Sequence, residues 1–353
     1  MNKFSLHEPL LQGNEEYNVR QCLDSGWLSP SGNFVNKFEQ RLENFTKANV
    51  VCCNSGTSAL HISLILAGVK PGEEVIVPSI TFIATVNSVL YCNANPIFMD
   101  CDETLSIHID KVLRFLKNNT YMSKKNTYNK KTKKKISALM FTNVFGNLTN
   151  LKNLLKECKR RNIKLVEDAA ESLGSFYLKN KKHSGLNADY GAMSFNVNKI
   201  ITTGAGGAIL FKKKKEKNKI KKLISQGKSD NLLFKHNLLG YNYGMPNINA
   251  AIGCAQLENI KDILIKKKKI NLFYKNFFYK AKNIKLIKTI NEQSQNYWLN
   301  AVQIKKIDYL NFKKNINLLI GLGIDVRPLW YPCHKQAHLK KYETYDIKNA
   351  NNF

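Results

Sequence analysis

Residues 49–100 read NVVCCNSGTSALHISLILAGVKPGEEVIVPSITFIATVNSVLYCNANPIFMD, and this stretch decides the fold. Short apolar runs at residues 49–53, 73–79 and 94–100 predict strands. The longer segments between them have apolar residues at helical spacing and predict helices, the first of which ends at Gly68. Strands that alternate with helices indicate an α/β fold with a parallel sheet and crossover helices.

The alternation continues on both sides of this stretch. Residues 14–48 predict two helices around a turn. Residues 117–137 are basic and poor in apolar side chains, which predicts an exposed loop or hairpin. Further strands are predicted at residues 137–146, 163–170, 191–196 and 206–213, with a helix at 151–162.

The pattern changes near residue 245. Beyond this point we predict a long helical stretch at 247–281, strands at 296–304 and 323–331, and a helix at 311–322. We therefore divide the chain into a large α/β domain at residues 1–244, with an N-terminal arm, and a small α+β domain at 245–353. The closing segment YETYDIKNANNF predicts that the small domain ends early.

Length and composition exclude several classes of protein. With 353 residues, 43% of them hydrophobic, the chain can bury a large core and is not wholly disordered. It contains no run of about 18 apolar residues and no signal-peptide pattern, which predicts a cytoplasmic protein without a membrane partner. The eight cysteines form no C-x-x-C pair, so reduced thiols are expected rather than a metal site or disulfides.

The formal net charge of +29 points first to nucleic acid or an anionic surface. Only six of the 55 basic residues are arginines, however, and the lysines are spread over the whole chain. Readers of base sequence favour the forked guanidinium of arginine. We therefore predict solvated lysine-rich faces, no nucleic-acid partner, and a field that favours an anionic small substrate.

Two motifs carry candidate binding groups. The segment Asn54-Ser55-Gly56-Thr57-Ser58 joins a strand to a helix, where backbone N–H groups and hydroxyls can hold a phosphate. The alternative is an ordinary capped helix start. Phe82 follows a strand end and can either cover a flat ring or pack in the core.

Two further motifs carry candidate reactive groups. Asp168 ends a predicted parallel strand, at the edge where open α/β sheets bind ligands, and Glu171 follows it. A purely structural acid is the alternative at this position. Lys199 follows another strand and precedes the Gly-rich turn at residues 204–207. A lysine at the edge of a desolvated site can form a Schiff base with a carbonyl.

In this order, the four motifs resemble the fold-type I enzymes that use pyridoxal 5'-phosphate (PLP). The chain is most similar to the DegT/DnrJ/EryC1/StrS family of nucleotide-sugar aminotransferases, from about Leu6 to Tyr342. The stretches that carry this resemblance include LDSGWLSPSGNFVNKFE, VEDAAESLGS, MSFNVNKIITTGAGGAIL and GYNYGMPNINAAIGCAQLE. The family implies a mostly parallel central sheet with flanking helices and a smaller C-terminal domain.

The resemblance also implies a role for each matching residue. Lys199 would form the Schiff base with PLP and then carry protons, Asp168 would hold the pyridinium nitrogen, and Glu171 would lie near the 3-hydroxyl. Phe82 would stack on one face of the ring and Ala170 on the other. The phosphate would be bound by Gly56, Thr57, Ser58 and Ser194, and by Asn242 of a neighbouring subunit. The last role implies a homodimer with composite active sites.

Within the family, the stretches SLHEP, YNKKTKKKISALMF and VRPLW resemble the subgroup that serves bacillosamine- and legionaminic-type sugars. That subgroup implies amination of a UDP-linked 4-keto-6-deoxy-N-acetylhexosamine at C4, with glutamate as donor, for bacterial surface polysaccharide or lipopolysaccharide. A GDP-linked 4-keto hexose is an alternative substrate. Relatives that dehydrate instead replace the lysine with histidine, and Lys199 argues against that activity.

Two departures from the family motivate a different class of function. Gly244 stands where the family usually has arginine, and the chain ends earlier than the family pattern. Loss of a guanidinium near a composite site could weaken binding of an anionic donor or nucleotide. A catalytically silent homologue that binds PLP or a sugar nucleotide and regulates another process is therefore the alternative.

Overall fold

The computed structural model describes residues 3–178, 181–230, 232–289, 293–305 and 307–352. The α-helices are α1 Glu15–Ser25, α2 Asn33–Thr46, α3 Gly56–Leu66, α4 Ile83–Tyr91, α5 Ile109–Asn118, α6 Lys152–Arg160, α7 Lys217–Ile224, α8 Asn247–Glu258, α9 Ile260–Phe278 and α10 Tyr309–Gly321. Among the described residues, no helix has both the length and the apolar character needed to cross a membrane.

The larger strands are β1 Asn49–Cys53, β2 Glu74–Pro78, β3 Asn95–Met99, β4 Thr120–Ser123, β5 Asn126–Asn129, β6 Lys135–Thr142 and β7 Lys164–Asp168. The remaining strands are β8 Phe176–Tyr177, β9 Lys182–His183, β10 Tyr190–Ser194, β11 Gly207–Phe211, β12 Lys228–Asp230, β13 Lys235–His236, β14 Ile284–Leu286, β15 Gln293–Ser294, β16 Val302–Ile304 and β17 Thr344–Tyr345.

A central sheet runs in the order β1-β11-β10-β7-β6-β2-β3-β17. Strand β11 is antiparallel to both of its neighbours, and every other pair along this path is parallel. The prediction of an α/β fold with a mostly parallel sheet is therefore confirmed. Because strands β6, β7 and β10 are parallel, Thr142, Asp168 and Ser194 end at the same edge of the sheet.

The core lies on both faces of this sheet. Alternate residues of β2 point to opposite sides, because side chains in a strand alternate. Val75 and Val77 join a buried cluster with residues of α3, whereas Ile76 joins a second cluster that contains Phe115 of α5. Every residue of β2 is buried, which explains why this strand is continuously apolar after Glu74.

The basic insertion forms a hairpin, as predicted, from β4 and β5. It is more than a surface loop, because β5 also pairs with β6 of the central sheet. The predicted strands at 296–304 and 323–331 are largely wrong, since only residues 302–304 form a strand there and residues 323–331 make a single bridge from Ile324 to Phe4. Tyr297 has a φ of 50°, which takes the chain out of the extended region.

The C-terminal residues lie against the large sheet. Strand β17 pairs in parallel with β3, and the Asp100 carboxylate accepts hydrogen bonds from the main-chain N–H groups of Lys348, Asn349 and Ala350. The division of the chain at residue 244 stays a prediction. All eight cysteines are buried free thiols.

Candidate active site

A cavity of about 330 Å³ lies at the edge where β6, β7 and β10 end. Eight of the predicted site residues line it, namely Gly56, Thr57, Phe82, Asp168, Ala170, Glu171, Ser194 and Lys199. They come from distant parts of the chain, and only the parallel order of the strands brings them together.

One end of the cavity is the N-terminus of α3. The Ser55 side chain caps this helix by accepting a hydrogen bond from the Ser58 N–H at 3.0 Å. Gly56 and Thr57 open the first turn, where N–H groups have no partner within the helix. A Cβ on Gly56 would lie 2.7 Å from the Cβ of Ser194, so only glycine allows this approach. An exposed helix N-terminus beside a hydroxyl suits a phosphate group.

The Gly-rich turn after Lys199 also packs against this end of the cavity. A Cβ on Gly207 would lie 2.3 Å from the carbonyl oxygen of Ser55. The glycine therefore lets β11 pass directly behind the helix start. This contact explains Gly207 by packing, whereas Ala205 and Gly206 of the same turn line the cavity directly.

Asp168 lies at the floor of the cavity. Its Oδ2 accepts a hydrogen bond from the Thr85 hydroxyl at 2.6 Å, and its Oδ1 accepts one from the Ala170 N–H at 3.1 Å. Burial raises the pKa of Asp168, although these hydrogen bonds and the charge of Lys199 oppose the shift. The result is a fixed carboxyl group that gains from any cationic N–H placed beside it.

Lys199 and Glu171 face each other across the cavity. The Lys199 Nζ is 3.3 Å from the Glu171 Oε1 and 4.1 Å from the centroid of the Trp298 ring. The other oxygen of Glu171 accepts a hydrogen bond from the Phe145 N–H at 2.8 Å. Burial raises the pKa of Glu171, and the Lys199 charge lowers it by less. The amine thus has both a proton-accepting neighbour and a ring that stabilises its charged form.

Aromatic rings form the opposite wall. The Phe82 side chain is 52% exposed and packs edge-on against Trp330, with 6.2 Å between ring centroids. Because the Phe82 side chain is exposed and lines the cavity, Phe82 is not a core residue. Trp298 and Trp330 both line the cavity as well. Flat walls of this kind suit a planar ring.

Two predicted site residues lie outside the lining. The Ser58 hydroxyl is used within the turn, where it donates to the Asn54 Oδ1 at 2.7 Å. Asn242 is exposed, and its main-chain carbonyl accepts a hydrogen bond from the Asn54 side chain at 3.3 Å.

Thr85, Trp298 and Thr142 are among the site residues that the sequence analysis missed. Thr85 was predicted only as part of a helix, and Trp298 and Thr142 only as parts of strands. Thr85 lies on α4 and contacts Asp168, which is 83 positions away in the chain. No spacing rule links such residues, although Thr85 does lie one helical turn after Thr81, to which its hydroxyl is hydrogen bonded at 2.7 Å.

Comparison with known proteins decides the family. The profile of the DegT/DnrJ/EryC1/StrS aminotransferase family matches residues 9–353. The chain belongs to this family. It is a family of PLP-dependent aminotransferases with relatives in amino-sugar and polysaccharide biosynthesis.

Individual relatives cover almost the whole chain. A GDP-perosamine synthase of Escherichia coli O157:H7 is 33% identical over 98% of this chain and 90% of its own length. The UDP-4-amino-4,6-dideoxy-N-acetyl-beta-L-altrosamine transaminase of Campylobacter jejuni serotype O:23/36 is 30% identical over 91% of this chain and 82% of its own length. The fold matches that of Helicobacter pylori PseC with a TM-score of 0.87 and 23% identity, over 99% of this chain and 91% of PseC.

The residues of the cavity fit PLP. A helix N-terminus that suits a phosphate lies at one end and a buried carboxyl group at the floor, with the Lys199 amine within reach of the same space. Phe82 and Ala170 both line that space, as a stacked ring requires.

Proposed function

We propose that the protein is a cytoplasmic aminotransferase that uses PLP to convert a nucleotide-linked 4-keto-6-deoxy sugar into its 4-amino sugar. Glutamate would be the amino donor, and the product would enter a bacterial surface glycan. The observation that carries the proposal is the position of the Lys199 Nζ between Glu171 and Trp298, in the cavity that also contains Asp168.

The binding roles follow from the groups that line the cavity. The N–H groups of Gly56 and Thr57, with the Ser194 hydroxyl, would hold the phosphate of PLP. Asp168, kept in place by Thr85, would hold the ring nitrogen, and Phe82 would cover the ring. PLP supplies an electron sink that stabilises negative charge on the carbon next to its imine bond.

The proton transfers would fall to Lys199. In the first half-reaction its free amine would take the α-proton of glutamate and deliver it to the cofactor carbon that bears the amino group. In the second it would move a proton from that carbon to C4 of the sugar. Glu171, 3.3 Å from the Nζ, would exchange a proton with it between these steps. The Trp298 ring would stabilise the protonated amine. Because donor and acceptor use the same site in turn, the kinetics should be ping-pong.

A homodimer with composite sites is part of the proposal. Asn242 is exposed rather than directed into the cavity of its own chain, which agrees with a role toward a neighbouring subunit. Beside it, the hairpin of β12 and β13 exposes Leu233 and Phe234, side chains that an interface would cover.

Two sugar nucleotides compete as the substrate. The resemblance at residues 5–9 and 326–330 favours a UDP-linked N-acetylhexosamine. Three relatives that are 33%, 32% and 31% identical are GDP-perosamine synthases, which favours a GDP-linked 4-keto hexose. Either substrate is an anion that the net charge of +29 would attract.

A silent homologue is the second candidate function, and Gly244 is the observation that favours it. A Cβ at this position would lie 2.9 Å from the Cβ of Pro30, so an arginine would require Pro30 to move. Pro30 therefore occupies the space that a side chain at residue 244 would need.

The visible spectrum with PLP tests the proposal. We expect a yellow absorbance that glutamate bleaches and that the correct keto sugar restores, with UDP- and GDP-linked substrates compared at equal concentration. Borohydride reduction and mass spectrometry should place the pyridoxyl group on Lys199. Lys199→Ala should lower turnover by about 10⁴-fold, whereas Lys219→Ala on the exposed face of α7 should have no effect. A band that ignores glutamate would support the silent homologue instead.

A further inference from the structure

A second lysine lies beneath the active site. The Lys267 Nζ of α9 donates a hydrogen bond to the main-chain carbonyl of Trp298 at 3.1 Å and contacts the Nδ1 of His7 at 3.1 Å. Trp298 in turn donates from its indole N–H to the carbonyl of Asn198 at 2.6 Å. The same indole ring lies under the Lys199 Nζ. One chain of contacts therefore joins Lys267 to the reactive amine.

His7 closes this chain of contacts into a ring. Burial, and then the charge of Lys267, lowers the pKa of His7 to about 4, although a hydrogen bond to the main chain of Lys199 opposes the shift. The imidazole is therefore neutral near pH 7, with one accepting and one donating nitrogen. Its Nδ1 accepts from Lys267, which assigns the proton to the nitrogen that bonds the Lys199 main chain.

Lys267 is unusual among the many lysines of this protein. Burial lowers its pKa to about 8, whereas most of the others are solvated. It lines a separate cavity of about 370 Å³, outside the site described above. The charged groups that face it there are Lys3 and Glu8 of the N-terminal segment and Lys266 of its own helix, with Lys199 beyond His7. Burying an amine costs free energy unless it is hydrogen bonded, and Lys267 meets this cost with its bonds to Trp298 and His7.

The N-terminal segment that supplies His7 is itself anchored. The Phe4 N–H donates to the carbonyl of Gly323 at 2.8 Å, and the Asp325 N–H donates back to the carbonyl of Phe4 at 2.8 Å. His7 thus lies on an anchored segment between the end of α10 and the turn at residues 196–199.

We propose that Lys267 and His7 are positioning residues that hold Trp298 and the turn at residues 196–199 together, so that the Lys199 Nζ faces Glu171. The inference rests on the proposed function, because the position of the Lys199 Nζ beside Glu171 matters only if this amine transfers protons. Neither residue touches the cavity that binds PLP, so both act through Trp298 and the main chain of Lys199.

Replacement of Lys267 by methionine tests the proposal in the holoenzyme. We expect Lys267→Met to slow the bleaching by glutamate by about 10- to 100-fold, since displacement of a reacting group by about 1 Å has effects of this size. The affinity for PLP should be unchanged, because other residues bind its phosphate. Lys267→Arg should restore the rate, because a guanidinium can donate to both Trp298 and His7. Lys266→Met, on an exposed neighbour, is the matched control.

Hydrogen exchange without PLP provides an independent readout. In the apoprotein, Lys267→Met and His7→Leu should speed amide exchange in peptides that cover residues 196–204 and leave α3 unchanged. The proposal would be overturned if exchange were accelerated equally in residues 196–204 and in α3. It would also be overturned if Lys267→Met left the rate of bleaching by glutamate unchanged, or if Lys267→Arg failed to restore that rate. If glutamate does not bleach the unsubstituted protein, the proposed function fails. The hydrogen-exchange experiment then still tests whether Lys267 and His7 hold the turn at residues 196–199.

Discussion

The two sides of the active-site cavity are built in different ways. On the sheet side, Asp168 and Glu171 are almost sealed from solvent, and they follow strands whose residues are buried on both faces. On the opposite side, Trp298 and Trp330 come from segments that are not strands, and α10 has no buried residue. The difference shows that the two carboxyl groups are fixed at the end of a buried strand, whereas Trp298 is held by its own core packing and hydrogen bonds in a segment without strand pairing.

The largest effect should appear when a central strand and α10 lose the same amount of apolar side chain. Ile76→Ala removes a fully buried side chain of β2 and should lower the free energy of unfolding by about 2–5 kcal/mol. Leu318→Ala on α10, where the side chain is 61% exposed, should change it by less than about 0.5 kcal/mol. Urea unfolding followed by circular dichroism measures both, and equal losses would contradict the comparison.

A smaller effect is expected from the hydrogen bond between Thr85 and Asp168. Thr85→Val keeps the shape of the side chain but removes the 2.6 Å hydrogen bond to the carboxylate. Hydrogen bonds to charged groups contribute about 1.5–3 kcal/mol, so the glutamate half-reaction should slow by about 10- to 100-fold. Stopped-flow absorbance measures this rate, with Thr85→Ser as the control that keeps the hydroxyl. A normal rate in Thr85→Val would show that the position of Asp168 does not depend on this contact.

A third effect concerns the dependence of stability on pH. Burial lowers the pKa of His183 from 6.5 to about 4, although the hydrogen bond that the imidazole donates to the main-chain carbonyl of Ser184 opposes the shift. The unfolded chain therefore binds more protons than the folded protein between these values, so the free energy of unfolding falls as the pH drops through this window. His183→Gln keeps an acceptor for the Gly174 N–H but cannot titrate. Its unfolding midpoints, measured from pH 7 to 4, should fall less steeply than those of the unsubstituted chain.

The sequence predicted the sheet side of the site better than the other side. Asp168 ends β7, Glu171 follows it and Lys199 follows β10, and parallel strands bring such positions to one edge of the sheet. Trp298 was predicted in a strand because residues 296–304 are mostly apolar, yet the Asn296 side chain binds the main-chain carbonyls of Glu171 and Leu173 instead. That contact spans 125 positions, and local apolar patterning carries no information about it.

The sequence by itself determined the α/β class, the order of the motifs and the family resemblance, because periodicity and short motifs are local properties of a chain. Only the tertiary structure decided which hydroxyl supports Asp168, which indole lies under the Lys199 amine, and how His7 and Lys267 reach the same turn. These contacts join side chains far apart in sequence, and their geometry is set by packing over the whole molecule.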